Sequence, residues 1–285
     1  MPTTVAFHQR YGQWALVTGA ASGLGKEFTN QLAARQLNVV AVDIQLDKLQ
    51  EQVSSLQQQY GVQARALVTD LADPAFLEQV QRETAELEIG LVANVAGLSS
   101  VGPLLDVPLE TLQRQIAINC YAPLTLSHHF GRLMRDRGRG GIIFFSSASA
   151  LQGTALVTNY AATKAYNLIL AEGLWDELRG SGVDVLGFAP GATNTPGFHH
   201  AQPRYTAIPM PYMEAAPTVA EAIAALGRTP SHIAGRGNRA AAFLTTRILP
   251  RKQAIKLFGD NMRKLYPHHA QHAPGKHAAP EKLEK

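Results

Sequence analysis

Tyr160 and Lys164 stand four residues apart in a stretch of helical spacing, so both side chains emerge on one face of a helix. A phenol with an ordinary pKa of about 10 is a poor base at neutral pH, whereas a neighbouring ammonium favours the phenolate. Such a pair can take a proton from an alcohol or return one to a ketone. Alone, a Tyr-x-x-x-Lys pair is a common surface feature. Here it follows an apolar run ending in Ser146-Ser147, with Ser149 two residues further on. Far upstream, Thr18-Gly19-Ala20-Ala21-Ser22-Gly23-Leu24-Gly25 joins a short apolar run to a helical one. Glycines at that junction allow a tight turn and close backbone approach to a diphosphate, which the helix N-terminus attracts. Gly25-Lys26 also suggests a nucleoside-triphosphate loop, but Ala20 replaces its first glycine and Glu27 its magnesium-binding Ser or Thr. Asp43 closes the next apolar run, 18 residues after Gly25. A carboxylate there accepts hydrogen bonds from ribose hydroxyls and repels a 2′-phosphate. Neither Ser22 nor Ile44 offers a cation, so NAD is preferred to NADP. The plainer alternative for Asp43 is a helix cap.

The elements that must position these groups alternate in type. Trp14–Thr18 predicts a first strand and Leu24–Gln36 a helix. Asn38–Asp43 predicts a second strand, and Leu46–Tyr60 a helix with apolar Leu46, Leu49, Val53 and Leu56 on one side. Ala64–Val68 is a third strand, after which Asp73-Pro74 supplies an N-cap and a proline at the first helical position. Leu91–Val95, Gly141–Phe145 and Val183–Phe188 complete the evident strands, with helices near Leu109–Arg137 and Asn159–Arg179. Strands apolar on both faces and separated by helices imply a parallel sheet covered on both sides. The expected fold is α/β, a doubly wound Rossmann-type sheet in a single domain.

In their order along the chain, Thr18-Gly-x-x-x-Gly-x-Gly25, Asn94-Val-Ala-Gly97, Ser147, Tyr160-x-x-x-Lys164 and Pro190-Gly191 resemble the short-chain dehydrogenases/reductases, over roughly residues 12–195. The resemblance implies an oxidoreductase of CH–OH groups. It assigns Ser147, 13 residues before Tyr160, to polarise the substrate oxygen, and Tyr160 to move the proton. Asn119, in Ile118-Asn119-Cys120-Tyr121-Ala122, would support a water relay to Lys164, although Ala122 stands where glycine is usual. An asparagine in a helix otherwise simply bonds backbone. Implied cofactor contacts are Gly19, Ser22, Gly23, Leu24 and Gly25 at the diphosphate, Asp43 at the ribose, and Asp70-Leu71 at the adenine. Asn94, Ala96, Gly97, Tyr160, Lys164, Pro190, Gly191, Thr193 and Thr195 are further implied contacts. Thr193 replaces the usual Val or Ile, and Asn94 has a second reading as a brace of the central sheet. The opening Tyr11-Gly-x-Trp14-Ala-x-Val-Thr is similar to the branch with 3-ketoacyl and 17β-hydroxysteroid reductases. An NADP-dependent 3-oxoacyl or steroid-type ketoreductase is therefore the alternative, opposed by Asp43. A non-catalytic NAD-sensing protein is the second, opposed by the intact set Asn119, Ser147, Tyr160 and Lys164. The family also assembles dimers or tetramers through its two long helices, where Leu168, Leu170 and Leu174 offer either interface or core.

Composition narrows the remaining classes. At 285 residues and 46% hydrophobic content, the chain can bury an ordinary core. A lone Cys120 excludes an internal disulfide framework and lacks an activating partner in sequence, and no Cys/His spacing suggests a metal. No apolar run reaches membrane-spanning length, and Met1 to Gln13 lacks a signal-peptide stretch, so a cytoplasmic location is expected. The net charge is +4, and its densest group, Arg132, Arg135, Arg137 and Arg139, reads as solvated surface, not a nucleic-acid patch. Residues 195–217 read as a lid, and Leu98–Leu104, Ser149–Leu156 and Thr195–Tyr212 should border the reacting carbon. Phe198, His199, His200, Tyr205, Met210, Tyr212 and Met213 suit a mostly apolar secondary alcohol or ketone, with Arg204 the nearby cation. The domain is expected over 1–264. Residues 265–285, with His268, His269, His272 and His277, read as a polar, disordered tail and not a metal tract.

Overall fold

Unbroken Val, Leu, Ile and Ala runs can be buried only where a sheet is covered on both faces, and the computed structural model, which describes residues 7–204 and 212–270, has that form. After a short α1 (Phe7–Tyr11) come β1 (Trp14–Thr18), α2 (Gly23–Ala33), β2 (Asn38–Asp43), α3 (Leu46–Tyr60) and β3 (Ala64–Val68). The chain continues through α4 (Phe76–Thr84), β4 (Ile89–Asn94), α5 (Leu109–Ile116), α6 (Ala122–Arg137), β5 (Gly140–Phe145), α7 (Thr158–Glu177) and β6 (Val183–Ala189). The last elements are α8 (Pro196–His200), α9 (Ala215–Ala225), β7 (Ser231–Ile233), α10 (Arg236–Phe243), α11 (Arg251–Leu265) and α12 (Pro267–Ala270). Seven parallel strands lie in the order β3-β2-β1-β4-β5-β6-β7. The strand order reverses between β1 and β4, the switch point at which sheets of this kind form a crevice at the carboxyl ends of their strands.

Strand side chains alternate between the two faces. Ala15, Val17, Val39, Ala41, Leu91 and Ile143 pack against Phe28, Leu49, Leu56 and Val219 of α2, α3 and α9. Leu16, Val40, Val92, Ile142 and Phe144 pack against Val80, Leu126, Phe130 and Ala171 of α4, α6 and α7. Leu168, Leu170 and Leu174 are half-buried, and the last two pack into this second cluster, so they serve the core.

Several expectations are corrected. The helix expected to reach Gln36 stops at Ala33, because Gln36 takes φ 65°. Asp73 does not cap α4: its carboxylate accepts from the Ala75 N–H at 2.8 Å in a turn, and the helix starts at Phe76. The single helix expected over 109–137 is broken by a five-residue π-helical turn, Ala117–Tyr121. The short strand β7 and the helices after residue 215 gave no clear periodic signal. Past the boundary expected at 264, Tyr266 is buried and α12 follows it; His272, His277 and the rest of 271–285 lie outside the described residues. Arg135 pairs with Asp136 and Arg139 with Glu88 at the surface, and the half-buried Arg137 donates to the Ile89 carbonyl. Among the described residues, no helix is long and apolar enough to cross a membrane.

Candidate active site

The glycine turn connects β1 to α2 across the mouth of the crevice. The Thr18 hydroxyl accepts from the Val95 and Ala96 N–H groups at 3.0 Å each, clamping the ends of β1 and β4 together. Gly19 turns the chain at φ 71°, and a Cβ on it would stand 3.0 Å from Ala96 Cα. A Cβ on Gly25 would overlap the Gly19 carbonyl oxygen, so α2 can begin this close to the strand only with glycine there. Across the opening, Thr195 lies 3.3 Å from the position of a Gly23 Cβ. Ser22 is the N-cap in extended backbone and its hydroxyl makes no capping bond. The first-turn N–H groups of α2, left uncapped by Ser22, are the kind of donors a diphosphate would take.

At the tip of β2 the Asp43 carboxylate is more constrained than its sequence position suggests. Oδ2 accepts from the Ala21 N–H at 3.0 Å, and Oδ1 from Ile44 and Gln45 at 2.8 and 3.1 Å. Asp43 does not cap α3, whose N-cap is Gln45; its carboxylate instead fills three lone-pair positions with loop N–H groups, leaving one on Oδ2. Asp70 accepts from the Ala72 N–H and pairs with Arg114 at 2.8 Å. Burial works to raise its pKa, but those two partners hold the carboxyl below the usual range. Leu71 is in the core, and Asn94 donates from Nδ2 to Ser127 on α6 at 3.1 Å, while its buried Oδ1 has no partner among the described residues. Asn94 thus follows the sheet-brace reading through Nδ2, and cofactor contact by Leu71 would be through backbone.

At the reacting end the π-helical turn presents Asn119, fully buried, to the chain leaving β4. Its Oδ1 accepts from the Leu98 N–H at 2.8 Å, and its Nδ2 donates to the Leu98 carbonyl at 2.9 Å and to Thr163 at 3.0 Å. The Asn119 carbonyl accepts from Asn167 at 2.9 Å. An insertion of this kind in a helix often marks a functional position. Lys164, 4% exposed, donates from Nζ to the Phe145 carbonyl at 2.9 Å. The same Nζ lies 5.7 Å from the centre of the Tyr160 ring, and a Cβ on Gly97 would stand 3.1 Å from it. Burial pushes Lys164 down to about 8, and the nearby Cys120 only partly opposes this. Cys120 itself is pushed up to about 11 by burial, as suits a packed thiol and not a nucleophile.

Of the three serines, Ser146 is structural: its buried hydroxyl donates to the Lys164 carbonyl at 2.7 Å. Ser147 accepts from the Ser149 N–H at 3.2 Å and the Ser149 hydroxyl at 3.0 Å. A hydroxyl oxygen accepts two bonds, so Ser147 is left with its own proton to donate, and Tyr160 is its neighbour. Burial raises the Tyr160 phenol, and the Ser147 hydrogen bond lowers it. Burial prevails, against the expectation that the ammonium would dominate.

On the substrate side, Thr193 is buried and bridges to Met213, with the Asn194 N–H donating to the Met213 carbonyl at 2.8 Å. Thr195 caps α8 by accepting from the Phe198 N–H at 3.3 Å. Phe198, His199 and Tyr212 form an aromatic group with ring centres 5.4–6.1 Å apart. Tyr205 and Met210 fall outside the described residues. Unforeseen is the part played by the C-terminal helix. Arg251 donates to the Leu151 carbonyl at 3.0 Å, and the Arg204 N–H to the Leu265 carbonyl at 2.8 Å. α11 ends on Tyr266, whose phenol is raised by burial and by the neighbouring phenols of Tyr160 and Tyr212. Sequence spacing carried no signal for Tyr266, because only folding brings it to residue 160.

A family model described as short chain dehydrogenase matches residues 13–205. The chain belongs to the short-chain dehydrogenase/reductase family. The 7beta-hydroxysteroid dehydrogenase of Collinsella aerofaciens is 32% identical over 234 residues, covering 81% of this chain and 89% of that protein. A structure solved in a study of 7beta-hydroxysteroid dehydrogenase stereoselectivity superposes with a TM-score of 0.83 at 29% identity, covering 89% of this chain and 99% of that one. A short-chain dehydrogenase from Sphingobium yanoikuyae in complex with NADPH superposes with a TM-score of 0.72 at 26% identity, covering 93% and 98%. This short-chain dehydrogenase/reductase is accordingly an NAD(P)-dependent oxidoreductase of CH–OH groups. A purely sensing role has no support beside it.

Proposed function

We propose that this short-chain dehydrogenase/reductase interconverts a ketone and a secondary alcohol on an apolar, steroid-sized substrate, with NAD(H) preferred. The observation that carries the reaction is the triad itself. Ser147, with both lone pairs filled by Ser149, can only donate, and it does so beside the Tyr160 phenol. Bound nicotinamide would supply the hydride in reduction and take it in oxidation. Tyr160, kept protonated at rest by burial, gives its proton to the carbonyl oxygen, while Ser147 hydrogen-bonds the same oxygen and stabilises its developing charge. In oxidation the phenol must first lose its proton, and Lys164 beside the ring stabilises the anion. Asn119 holds the Leu98 segment and Thr163 in place around that lysine.

Asp43 supports the cofactor preference, since its carboxylate retains one acceptor position and opposes a 2′-phosphate. The NADPH-bound neighbour favours the competing reading, so both cofactors belong in the test. NADH and NADPH oxidation would be followed with a panel of steroid ketones. Tyr160→Phe should lower turnover by more than about 100-fold while NADH still raises the Tm. Asp43→Ser should shift the preference toward NADPH, and an unchanged ratio would remove Asp43 from cofactor choice. We also infer a homodimer or tetramer, supported by the exposed Leu109, Ile116, Leu124, Leu133, Tyr166 and Ile169 on α5, α6 and α7; light scattering checks it.

A further inference from the structure

Most buried amides in this protein bond through at least their nitrogen: Gln52 donates to Thr29 and Asn30, Asn94 to Ser127, and Asn167 to the Asn119 carbonyl. Gln152 does not. Its side chain is 4% exposed, and neither Nε2 nor Oε1 has a partner among the described residues. Enclosing both ends of an amide without partners is unfavourable, and an apolar residue of similar size would pack there without that penalty.

The surroundings of Gln152 point to its use. It lies on the segment that runs from Ser147 to Tyr160, between the two groups proposed to act on the reacting oxygen. α11 seals that segment on either side of it. The Arg251 guanidinium holds the Leu151 carbonyl, and the Ala155 methyl packs 3.5 Å from the position of a Cβ on Gly259. The same helix ends on Tyr266, 5% exposed. We propose that Gln152, with Tyr266 in the same C-terminal wall, is a second polar anchor of the substrate site and binds a hydroxyl carried by an otherwise apolar ketone, away from the reacting carbon. A hydroxyl is the matching group because it can donate to Oε1 and accept from Nε2 together, whereas a carboxylate would leave Oε1 unpaired.

The inference rests on the ketone-reductase reading, and its test separates the two. Two ketones on one tetracyclic skeleton, one with a second ring hydroxyl and one without, would be compared with wild type, Gln152→Leu and Tyr266→Phe. Wild type should favour the hydroxylated ketone through KM, and Gln152→Leu should reduce that preference by about tenfold or more. Tyr266→Phe should reduce it by less, and Gln152→Met replaces the leucine variant if that one does not fold. An unchanged preference in Gln152→Leu, or none in wild type, overturns the anchor. If wild type reduces neither ketone, the catalytic reading fails, and calorimetry of the same pair with NADH-saturated protein still decides the anchor. Tighter binding of the hydroxylated compound, lost in Gln152→Leu, supports it; equal binding or no binding overturns it.

Discussion

Lys164 places a charge where the fold would be more stable without one. At 4% exposure its ammonium is pushed down from an ordinary 10.5 to about 8 by burial. At about 1.4 kcal/mol per tenfold change in proton affinity, that depression is a penalty of about 3 kcal/mol carried by the protonated folded state. A methionine there leaves the Phe145 carbonyl without that donor, which offsets the gain by about 1–2 kcal/mol. Methionine has a similar length, is unbranched and buries readily. Lys164→Met is therefore expected to gain about 1–2 kcal/mol at pH 7, a Tm higher by roughly 2–6 °C for a chain this size, while turnover falls by more than about 100-fold. The pH dependence fixes the cause. Below about pH 8 both folded and unfolded chains hold the lysine proton, and the penalty is full. Between about 8 and 10.5 the folded chain has released it while the unfolded chain still binds it, so wild-type stability rises with pH. The advantage of the methionine variant should shrink over that window and vanish or reverse near its top. Urea unfolding of both proteins at pH 7 and pH 10, followed by tryptophan fluorescence, measures it. A variant less stable than wild type at pH 7, or an advantage that does not change with pH, refutes the reasoning.

Two further predictions concern the turn and the phenol. Gly25→Ala puts a methyl group into the Gly19 carbonyl, so NADH affinity should fall at least about tenfold, with a stability loss of about 1–3 kcal/mol; a fluorescence titration that finds wild-type affinity rejects the close-packing argument. Because burial raises the Tyr160 phenol, kcat/KM for alcohol oxidation should climb as pH rises and more phenolate forms. Ketone reduction, which uses the protonated phenol, should not climb over the same range. Stopped-flow rates from pH 6 to 9 check both, and an oxidation rate that falls with pH removes Tyr160 as the base.

Most of the strands and the glycine turn were legible because local rules govern them. Both-face apolar runs demand a covered parallel sheet, and Gly19, Gly23 and Gly25 sit where only a strand-to-helix junction explains them. The motif spacing likewise pointed to Ser147, Tyr160 and Lys164. Other features were illegible for the same reason that they are not local. Whether Ser146 or Ser147 faces the phenol depends on which way each points from the end of β5, and the structure turns Ser146 to the Lys164 carbonyl. The π-helical turn at Asn119 needs Leu98 and Thr163 to hold it, and neither is near in sequence.

The sequence by itself determined the fold class and the type of chemistry, because each follows from residue types at fixed short spacings. Only the tertiary structure decided the electrostatics of the pair. Lys164 is distant from Phe145 in the chain yet bonds its carbonyl, and enclosure in the core outweighs the attraction expected from four-residue spacing. It also decided that Tyr266, which reads as the start of a tail, is buried, with the Tyr160 and Tyr212 phenols near enough to raise its own. Burial and long-range contact depend on the surroundings that the whole chain builds, and those surroundings are absent from any window of residues.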